Sequence, residues 1–337
     1  NVFDGNGTEE RTDVLTHDEM TAIISDAKRY GSLKESCLQH GITSIDMLFP
    51  DHKNLNNEPD FISRPMDWVT KVMGMVGKSP FSRVKTIHAD ITADEARALG
   101  YMKGKKKKEE VFTLLKRTTE PTTIYKKQKL DRDDVIDITD FDIVAFMKKE
   151  MRVMLDEEIA RALLIGDGRQ SDSDDKIKED KIRPVLTDDD LYTIKAELTV
   201  ENSETADVKA KNFIRTAIKA RKDYRGSGEP VLFTTEDVLT DCLLLEDVNG
   251  RVIYDTVTKL ATALRVREII TVPVMEGCKR KDSSAKHHDV YGIIVNLKDY
   301  KLGADKGGAI NLFDDFDIDY NQQKYLIETR CSGALTK

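Results

Sequence analysis

Apolar and polar residues alternate over three runs in the first half of the chain, which is the period-two pattern of half-buried strands. The first run covers residues 82–92, and the next two cover residues 109–117 and 122–130. Only the four residues "TTEP" separate the last two runs, so we expect these runs to pair as a hairpin arm. Strands of about nine residues each would give this arm a length of roughly 30 Å.

The predicted arm carries apolar side chains on both of its faces. Val111 and Leu115 point to one face, whereas Phe112 and Leu114 point to the other. An isolated two-stranded hairpin is only marginally stable in water, so we expect a neighbouring copy of the chain to cover it. The residues expected to make this contact are Val111, Phe112, Leu114, Leu115, Ile124 and Tyr125.

The longest predicted helix runs from Asp140 to Ile165. Its apolar residues recur at helical spacing on one broad stripe, Thr139 with Asp142 gives a start signal, and Gly166 is a stop signal. At about 1.5 Å per residue the helix is roughly 39 Å long, which is typical of a strut. The stripe residues expected to pack in the core are Phe141, Val144, Met151, Leu155 and Ile159.

The rest of the pattern mixes both element types. Two short helices are predicted within residues 17–40, an extended tether follows, and another helix begins at Pro65. A polar loop over residues 166–184 marks a boundary, and beyond it helices and strands do not alternate as in a doubly wound parallel sheet, so we predict an α+β fold. The helices are expected at 188–198, 208–224, 235–246 and 256–264, and the strands at 230–235, 267–274, 289–297, 309–318 and 324–335.

Composition and charge argue against several classes of function. The 337 residues are 39% hydrophobic and 34% charged, a globular balance with room for two domains. The net charge of -8 argues against duplex DNA as the main partner, because phosphate binding needs a basic face, although a local basic patch stays open. No apolar run reaches the roughly 20 residues that span a membrane. The four cysteines form no CxxC pair, which indicates reduced thiols.

Three kinds of site are suggested by short motifs: a phosphate-binding loop, a catalytic serine and a zinc site. "LIGDGR" places its glycines after a helix, where a C-cap is favoured over a phosphate loop, whose glycines precede a helix. "RGSGEP" is not a nucleophile elbow, because glycines flank Ser227 directly, and a turn is favoured. Cys37 with His40, and the pair His287–His288, lack the further ligands that zinc needs. We predict no catalytic residue, no cofactor and no metal site.

A lysine cluster, Lys103 with Lys105–Lys108, precedes the predicted arm. Glu109 and Glu110 follow it at once, and no aromatic residue interleaves with it after Tyr101, which disfavours a base-stacking platform. We favour a solvated loop that keeps the base of the arm soluble. Weak contact with nucleic acid, or with an acidic patch on a neighbouring copy, is the alternative.

Two long stretches carry a family resemblance. Thr122–Arg169 contains "DRDDVIDITDFDIVAFMKKEMRVMLDEEIARALLIGDGR", and the chain ends with "NLFDDFDIDYNQQKYLIETRCSGALTK". Together with the order of the parts, they resemble the major capsid protein of tailed bacteriophages, the Hong Kong 97-type fold. The resemblance implies an N-terminal arm with short helices at 1–63, a first helix of the peripheral (P) domain at 64–83, the E-loop at 84–138, the P-domain spine helix and its following loop at 139–184, the axial (A) domain at 185–310 and returning P-domain strands at 311–337.

The function implied by this resemblance is structural, not enzymatic. Copies would form pentamers and hexamers and close into an icosahedral head shell around double-stranded DNA, assembled in the bacterial cytoplasm. Further partners would be the portal protein and scaffolding or decoration proteins, with weak, non-specific contact to packaged DNA and no membrane. Many members lose an N-terminal scaffolding segment, so a chain that starts at Asn1 without Met predicts a mature form. No Asn and Glu pair matches the cross-linking members, so no cross-link is predicted.

Two other functions stay open. An encapsulin-like compartment would share the fold and hold a cargo enzyme, and a cargo-binding groove or the gene neighbourhood would distinguish it. A nucleotide-using enzyme built on Gly166–Gly168 belongs to another class, and the position of its glycines after a helix disfavours it.

Overall fold

The computed structural model describes residues 22–23, 25–26, 66–92, 96–107, 109, 113–131, 143–198, 205–281, 286–304, 310–317 and 319–337. The chain divides into two compact units. The first combines Asn1–Arg64 with Leu130–Phe146, and the second combines Pro65–Lys129 with Met147–Lys337. Every side-chain contact described below lies in the second unit.

Helices and strands are intermixed along the chain, as the α+β prediction requires. The helices are α1 (Asp67–Met75), α2 (Ile143–Leu164), α3 (Ala206–Ala220), α4 (Glu236–Leu243) and α5 (Val257–Leu264), with single 3-10 turns at Arg221–Asp223, Pro273–Met275 and Leu297–Asp299. The strands are β1 (Gly77–Ser79), β2 (Lys85–Asp90), β3 (Thr113–Thr118), β4 (Thr122–Asp131), β5 (Val231–Thr234), β6 (Ile269–Thr271), β7 (Lys279–Lys281), β8 (His287–Asp289), β9 (Gly292–Val295), β10 (Tyr300–Ala304), β11 (Asn311–Asp317) and β12 (Gln322–Leu335).

The long strand β12 organises the largest sheet, whose order is β1-β10-β12-β11, with β4 also paired to β12. β1 runs parallel to β10, whereas β10 and β11 are both antiparallel to β12. The strand is long enough to pair with different strands along its length: residues 331–335 pair with β10 and residues 322–328 with β11. Its last five residues are all buried, so the end of β12 lies in the core.

A smaller α/β module follows the long helix. Its sheet has the order β6-β5-β9, with β5 parallel to β6 and antiparallel to β9. Thr235 and Thr256 cap α4 and α5, each by accepting a hydrogen bond from a backbone N–H of the first turn. Apolar residues of α3, α4 and α5 pack with Leu232 of β5 into one cluster, which gives the module its own core.

Three residues of the predicted stripe lie in the described part of helix α2. Met151, Leu155 and Ile159 are all buried, whereas Phe141 and the side chain of Val144 lie outside the described residues. The helix ends at Gly166, whose N–H donates to the carbonyl oxygen of Arg161 and whose φ of +92° suits a residue without a Cβ. The C-cap interpretation of "GDGR" is therefore confirmed.

Most of the predicted helices and strands overlap elements of the structure, but one predicted helix does not form. The predicted helix at 208–224 overlaps α3, those at 235–246 and 256–264 contain α4 and α5, and residues 22–23 and 25–26 are helical. The predicted helix at 188–198 is wrong, because only one turn forms there before the chain becomes irregular. The hydroxyl of Thr193 donates to the backbone oxygen of Asp188, and such side-chain bonds to nearby backbone groups compete with a helix.

Replacing Leu155 by Ala tests the packing of α2. Leu155 is 2% exposed, so the variant loses apolar burial and leaves a cavity, and we expect its free energy of unfolding to fall by about 2–5 kcal/mol. Lys149→Ala on the exposed side of the same helix is the control, with an expected change within about 0.5 kcal/mol. Chemical denaturation followed by circular dichroism measures both, and equal changes in the two variants would contradict the assignment.

Candidate assembly interface

Strands β2 and β3 form a two-stranded antiparallel ribbon. Its register pairs Lys85 with Thr118 at one end and Asp90 with Thr113 at the other. The predicted pairing of 109–117 with 122–130 is wrong, because β3 pairs with β2 while β4 pairs with β12. We call β2 and β3 together the ribbon, and it replaces the predicted hairpin as the arm of this protein.

Both faces of the ribbon expose apolar side chains, as predicted for the arm. Because residues directly opposite share a face, Ile87 and Leu114 lie on one face, and His88 and Leu115 lie on the other. The side chains of Ile87, Leu114 and Leu115 are 61%, 53% and 42% exposed. Val111 and Phe112, the other two residues predicted on this strand, lie outside the described residues.

The segment beyond the ribbon, residues 96–107, is also exposed, including Leu99, Tyr101 and Met102. Lys103, Lys105, Lys106 and Lys107 lie in it as exposed cations, and the Lys107 ammonium is 5.4 Å from the centre of the Tyr101 ring. The lysine ammonium groups lie in solvent beside apolar side chains. Exposed charges of this kind keep a partly apolar surface soluble. The preferred interpretation of the lysines as a solvated loop stays a prediction.

The root of the ribbon is held by a buried ion pair. The Arg117 guanidinium donates through Nη2 to Oδ1 of Asp188 and through Nη1 to the Leu335 backbone oxygen, 3.2 Å away. Both side chains are almost fully buried. Tyr192 completes this contact, because the guanidinium lies 4.0 Å from the centre of its ring and its hydroxyl is 3.3 Å from Oγ1 of Thr86.

A chain of hydroxyl groups ties the root to β12. The Val84 N–H donates to Oγ1 of Thr119, which lies 2.8 Å from Oγ of Ser332, and Ser332 donates to the backbone oxygen of Ser82. Since the Ser332 proton goes to Ser82, the proton between the two hydroxyls belongs to Thr119. Thr119 and Ser332 are fully buried, so the hydrogen bonds between these hydroxyl groups are shielded from water and reinforce one another.

The two remaining predicted arm residues lie elsewhere. Ile124 and Tyr125 belong to β4, so their assignment to the arm is wrong. Ile124 is 5% exposed and packs within its own chain, which removes it from the apolar surface offered to a neighbour. Tyr125 is 57% exposed on the other face of β4. The physical reason is that β12, not β3, supplies the hydrogen-bonding partner of β4.

No pattern in the sequence points to the polar residues that hold the ribbon, which are Arg117, Thr119, Asp188 and Ser332. Arg117 is separated from Asp188 by 71 positions, and Thr119 from Ser332 by 213, so no local spacing connects them. The only local feature is that Arg117 and Thr119 come shortly after the apolar pair Leu114–Leu115, at the end of β3.

The described residues offer little chemistry outside this interface. Cys242, Cys278 and Cys331 are free thiols, and burial raises the pKa of Cys242 and Cys331 to about 12, which leaves them as inert neutral thiols at neutral pH. Within the described ranges no group of His, Cys, Asp and Glu side chains is arranged to hold a metal ion. None of the helices described has the length and apolar character needed to cross a membrane.

Comparison with solved structures identifies the fold. Similar chains come from Mycobacterium phage Ogopogo (10% identity, 79% of this chain and 88% of that chain covered, TM-score 0.53) and Gordonia phage Cozz (12%, 79% and 82%, 0.51). Another comes from the capsid of the native GTA particle (9%, 85% and 91%, 0.52). The chain therefore shares the fold of these phage and GTA-capsid chains. No protein-family model and no curated protein matches the sequence.

Breaking the root ion pair tests how the ribbon is held. Asp188→Leu leaves the buried Arg117 guanidinium without a carboxylate, and Arg117→Met leaves the buried Asp188 with only the more distant Arg183, 3.9 Å away. We expect each variant to lower the free energy of unfolding by about 3 kcal/mol or more. The double variant should cost clearly less than the sum of the two, because it leaves no unpaired charge. Chemical denaturation measures all three.

The control for this double-mutant cycle is Lys195→Ala. Lys195 pairs with Asp190 at the surface, where an ion pair contributes little, so we expect almost no change in stability. If the effects of Arg117→Met and Asp188→Leu were simply additive, Arg117 and Asp188 would not act as a pair.

Proposed function

We propose that this chain is the major capsid protein of a tailed bacteriophage, and that its copies assemble into an icosahedral shell of pentamers and hexamers around double-stranded DNA. The observation that carries the proposal is the ribbon. It is anchored firmly at its root, and beyond the root it exposes apolar side chains on both faces. A monomer gains nothing from such a surface, whereas a neighbouring copy gains a contact.

The energy of the contact fits a shell better than a tight dimer. Complete burial of a fully exposed aliphatic side chain contributes about 1.5–3 kcal/mol. The three aliphatic side chains on the ribbon are about half exposed, so each contributes roughly half of that. The conformational entropy lost when the ribbon becomes ordered, and the translational and rotational freedom lost when two chains associate, offset much of that gain. A single contact of this kind is modest, but a closed lattice repeats it at every copy, so the sum becomes large while each step stays reversible.

The Hong Kong 97-type layout is part of the same proposal. In it the ribbon belongs to the E-loop (84–138), α2 is the spine of the P domain, and the α/β module of α3, α4 and α5 lies in the A domain (185–310). The separate core of that module supports its treatment as a domain. The portal protein and scaffolding or decoration proteins would meet the same shell, which would form in the bacterial cytoplasm and remain in the virion.

The overall charge suits an inner wall that does not hold DNA tightly. With a net charge of -8 the chain repels a polyanion at long range, so contact with packaged DNA would be weak and non-specific. Strong binding would hinder both packaging and release. The alternative compartment that holds a cargo enzyme gains no support, since the similar structures come from phages and a GTA capsid.

Placing charges on the free face of the ribbon tests the proposal. We expect the double variant Ile87→Asp and Leu114→Asp to fold normally but to form no shells, because two carboxylates would have to be buried at the contact. Point substitutions are preferable to a deletion of 109–130, which would also remove β4 from the main sheet. Negative-stain electron microscopy scores assembly, and circular dichroism scores folding.

The matched control is Lys116→Gln, a polar substitution on the same face of the same ribbon. We expect shells of normal appearance from it. Normal shells from the double aspartate variant would refute the role of the ribbon. A wild-type chain that stays monomeric under all assembly conditions would refute the proposed function itself.

A further inference from the structure

Tyr192 contacts the ribbon from outside its two strands. The centre of its ring lies 4.0 Å from the guanidinium carbon of Arg117 and 5.7 Å from the centre of the His88 ring, which it meets edge to face. Its hydroxyl oxygen is 3.3 Å from Oγ1 of Thr86. One aromatic side chain therefore contacts both strands of the ribbon, through a charge, a ring and a hydroxyl group.

The three residues that Tyr192 contacts share one face of the ribbon. Thr86 is directly opposite Arg117 in the register, and His88 comes two positions after Thr86 on the same strand. We call this the held face, and the opposite one, which carries Ile87 and Leu114, the free face. Every residue of the free face is exposed: Lys85, Ile87, Ala89, Leu114, Lys116 and Thr118. The chain thus covers part of one face of its own ribbon and leaves the other open.

The backbone that carries Tyr192 is itself fixed. Its N–H donates to the backbone oxygen of Asp189 at 2.9 Å, within the single turn that forms in this segment. Upstream of that turn, the N–H of Val185 donates to the backbone oxygen of Leu163, near the end of α2, at 2.8 Å. Tyr192 is therefore tied to the longest helix of the chain, and through it the ribbon is tied to the same helix.

A contact further along the ribbon adds what the root alone lacks. Arg117 and Thr119 both lie at one end of β3, so a small rotation there would move the far end of the ribbon through a large distance. His88 is three residues from Lys85, the first residue of β2, which is roughly 10 Å at about 3.3 Å per residue. A ribbon held at two separated points on one face has a defined direction, whereas a ribbon held only at its root can swing.

We propose that Tyr192 is a positioning residue, which sets the direction in which the ribbon leaves the body of the chain and presents its free face to a neighbouring copy. This inference rests on the proposed shell function. The exposed aliphatic side chains of the ribbon attract a partner without choosing an angle, because apolar attraction has no direction. The angle must therefore come from within each copy, and Tyr192 supplies it.

Hydrogen exchange of the unassembled full chain tests how Tyr192 holds the ribbon. In Tyr192→Ala we expect the amides of β2 and β3 to exchange about tenfold faster or more, because the ribbon opens more often, while the amides of α3, α4 and α5 keep their wild-type rates. Tyr192→Phe keeps the ring but loses the contact with Thr86, so a smaller acceleration is expected. Tyr320→Ala removes a tyrosine that is 71% exposed outside the ribbon, and it should leave the exchange of β2 and β3 unchanged.

The shape of the assembled particles separates positioning from stability. In negative-stain electron microscopy we expect Tyr192→Ala to give open sheets or shells of scattered diameter, because copies with a swinging ribbon meet at variable angles. Ile214→Val is the matched control, since it removes a methylene group from the core of the α/β module and lowers stability without touching the ribbon. It should give shells of wild-type diameter.

Faster exchange in the ribbon together with irregular particles supports the proposal. Unchanged exchange of β2 and β3 in Tyr192→Ala overturns it, and so do uniform wild-type shells from a variant whose ribbon exchanges faster. If circular dichroism shows that Tyr192→Ala does not fold, Tyr192→Phe takes its place in both measurements, and the same two results overturn the proposal. A wild-type chain that forms no shells refutes the proposed function instead, and the exchange of β2 and β3 then decides whether Tyr192 holds the ribbon.

Discussion

The buried ion pair between Arg117 and Asp188 is the interaction on which the ribbon depends. A two-stranded ribbon has too few neighbours to be stable alone, so its position must be set where it joins the rest of the chain. The ion pair and the hydroxyl chain through Thr119 and Ser332 do this in a region closed to water. Their partners are far apart in sequence, so the root is complete only after the segment around Asp188 and the end of β12 have folded. The direction of the ribbon therefore depends on contacts between segments that are far apart in the sequence.

Beyond that root, the surface of the ribbon is a compromise between association and solubility. Among the described residues no further strand pairs with its two long edges, and Ile87, Leu114 and Leu115 add exposed apolar area to the ribbon. Such edges invite indiscriminate pairing, which proteins usually limit with charged residues, above all lysine. Lys85 and Lys116 on the ribbon and the lysines of residues 103–107 are placed accordingly. The charges make random pairing costly, while a specific partner can cover the apolar residues and leave the ammonium groups in water.

Local patterns in the sequence were sufficient for element types but not for partners. The stripe on α2 predicted a helix whose Met151, Leu155 and Ile159 are buried, because about six turns of helical periodicity leave little ambiguity. Alternation also located β2, β3 and β4. Alternation could not show that β3 pairs with β2, the preceding strand in the chain. Contacts between residues that are far apart in sequence, such as Thr119 with Ser332, decide which strands pair. The same limit explains the wrong helix at 188–198, where Asp188 is recruited by Arg117 and Tyr192 packs on the ribbon root.

The contrast between root and ribbon has a consequence for the proposed shell. A chain that occupies both five-fold and six-fold positions must keep one fold while the angles between copies differ. At the root, buried residues are linked by directional hydrogen bonds, and Tyr300, which donates to the backbone oxygen of Arg183, is completely enclosed. On the ribbon, the contact surface consists of exposed aliphatic side chains, whose attraction depends on covered area and not on direction. Differences in angle can then be absorbed by sliding at the ribbon, without cost to the directional bonds that define the fold.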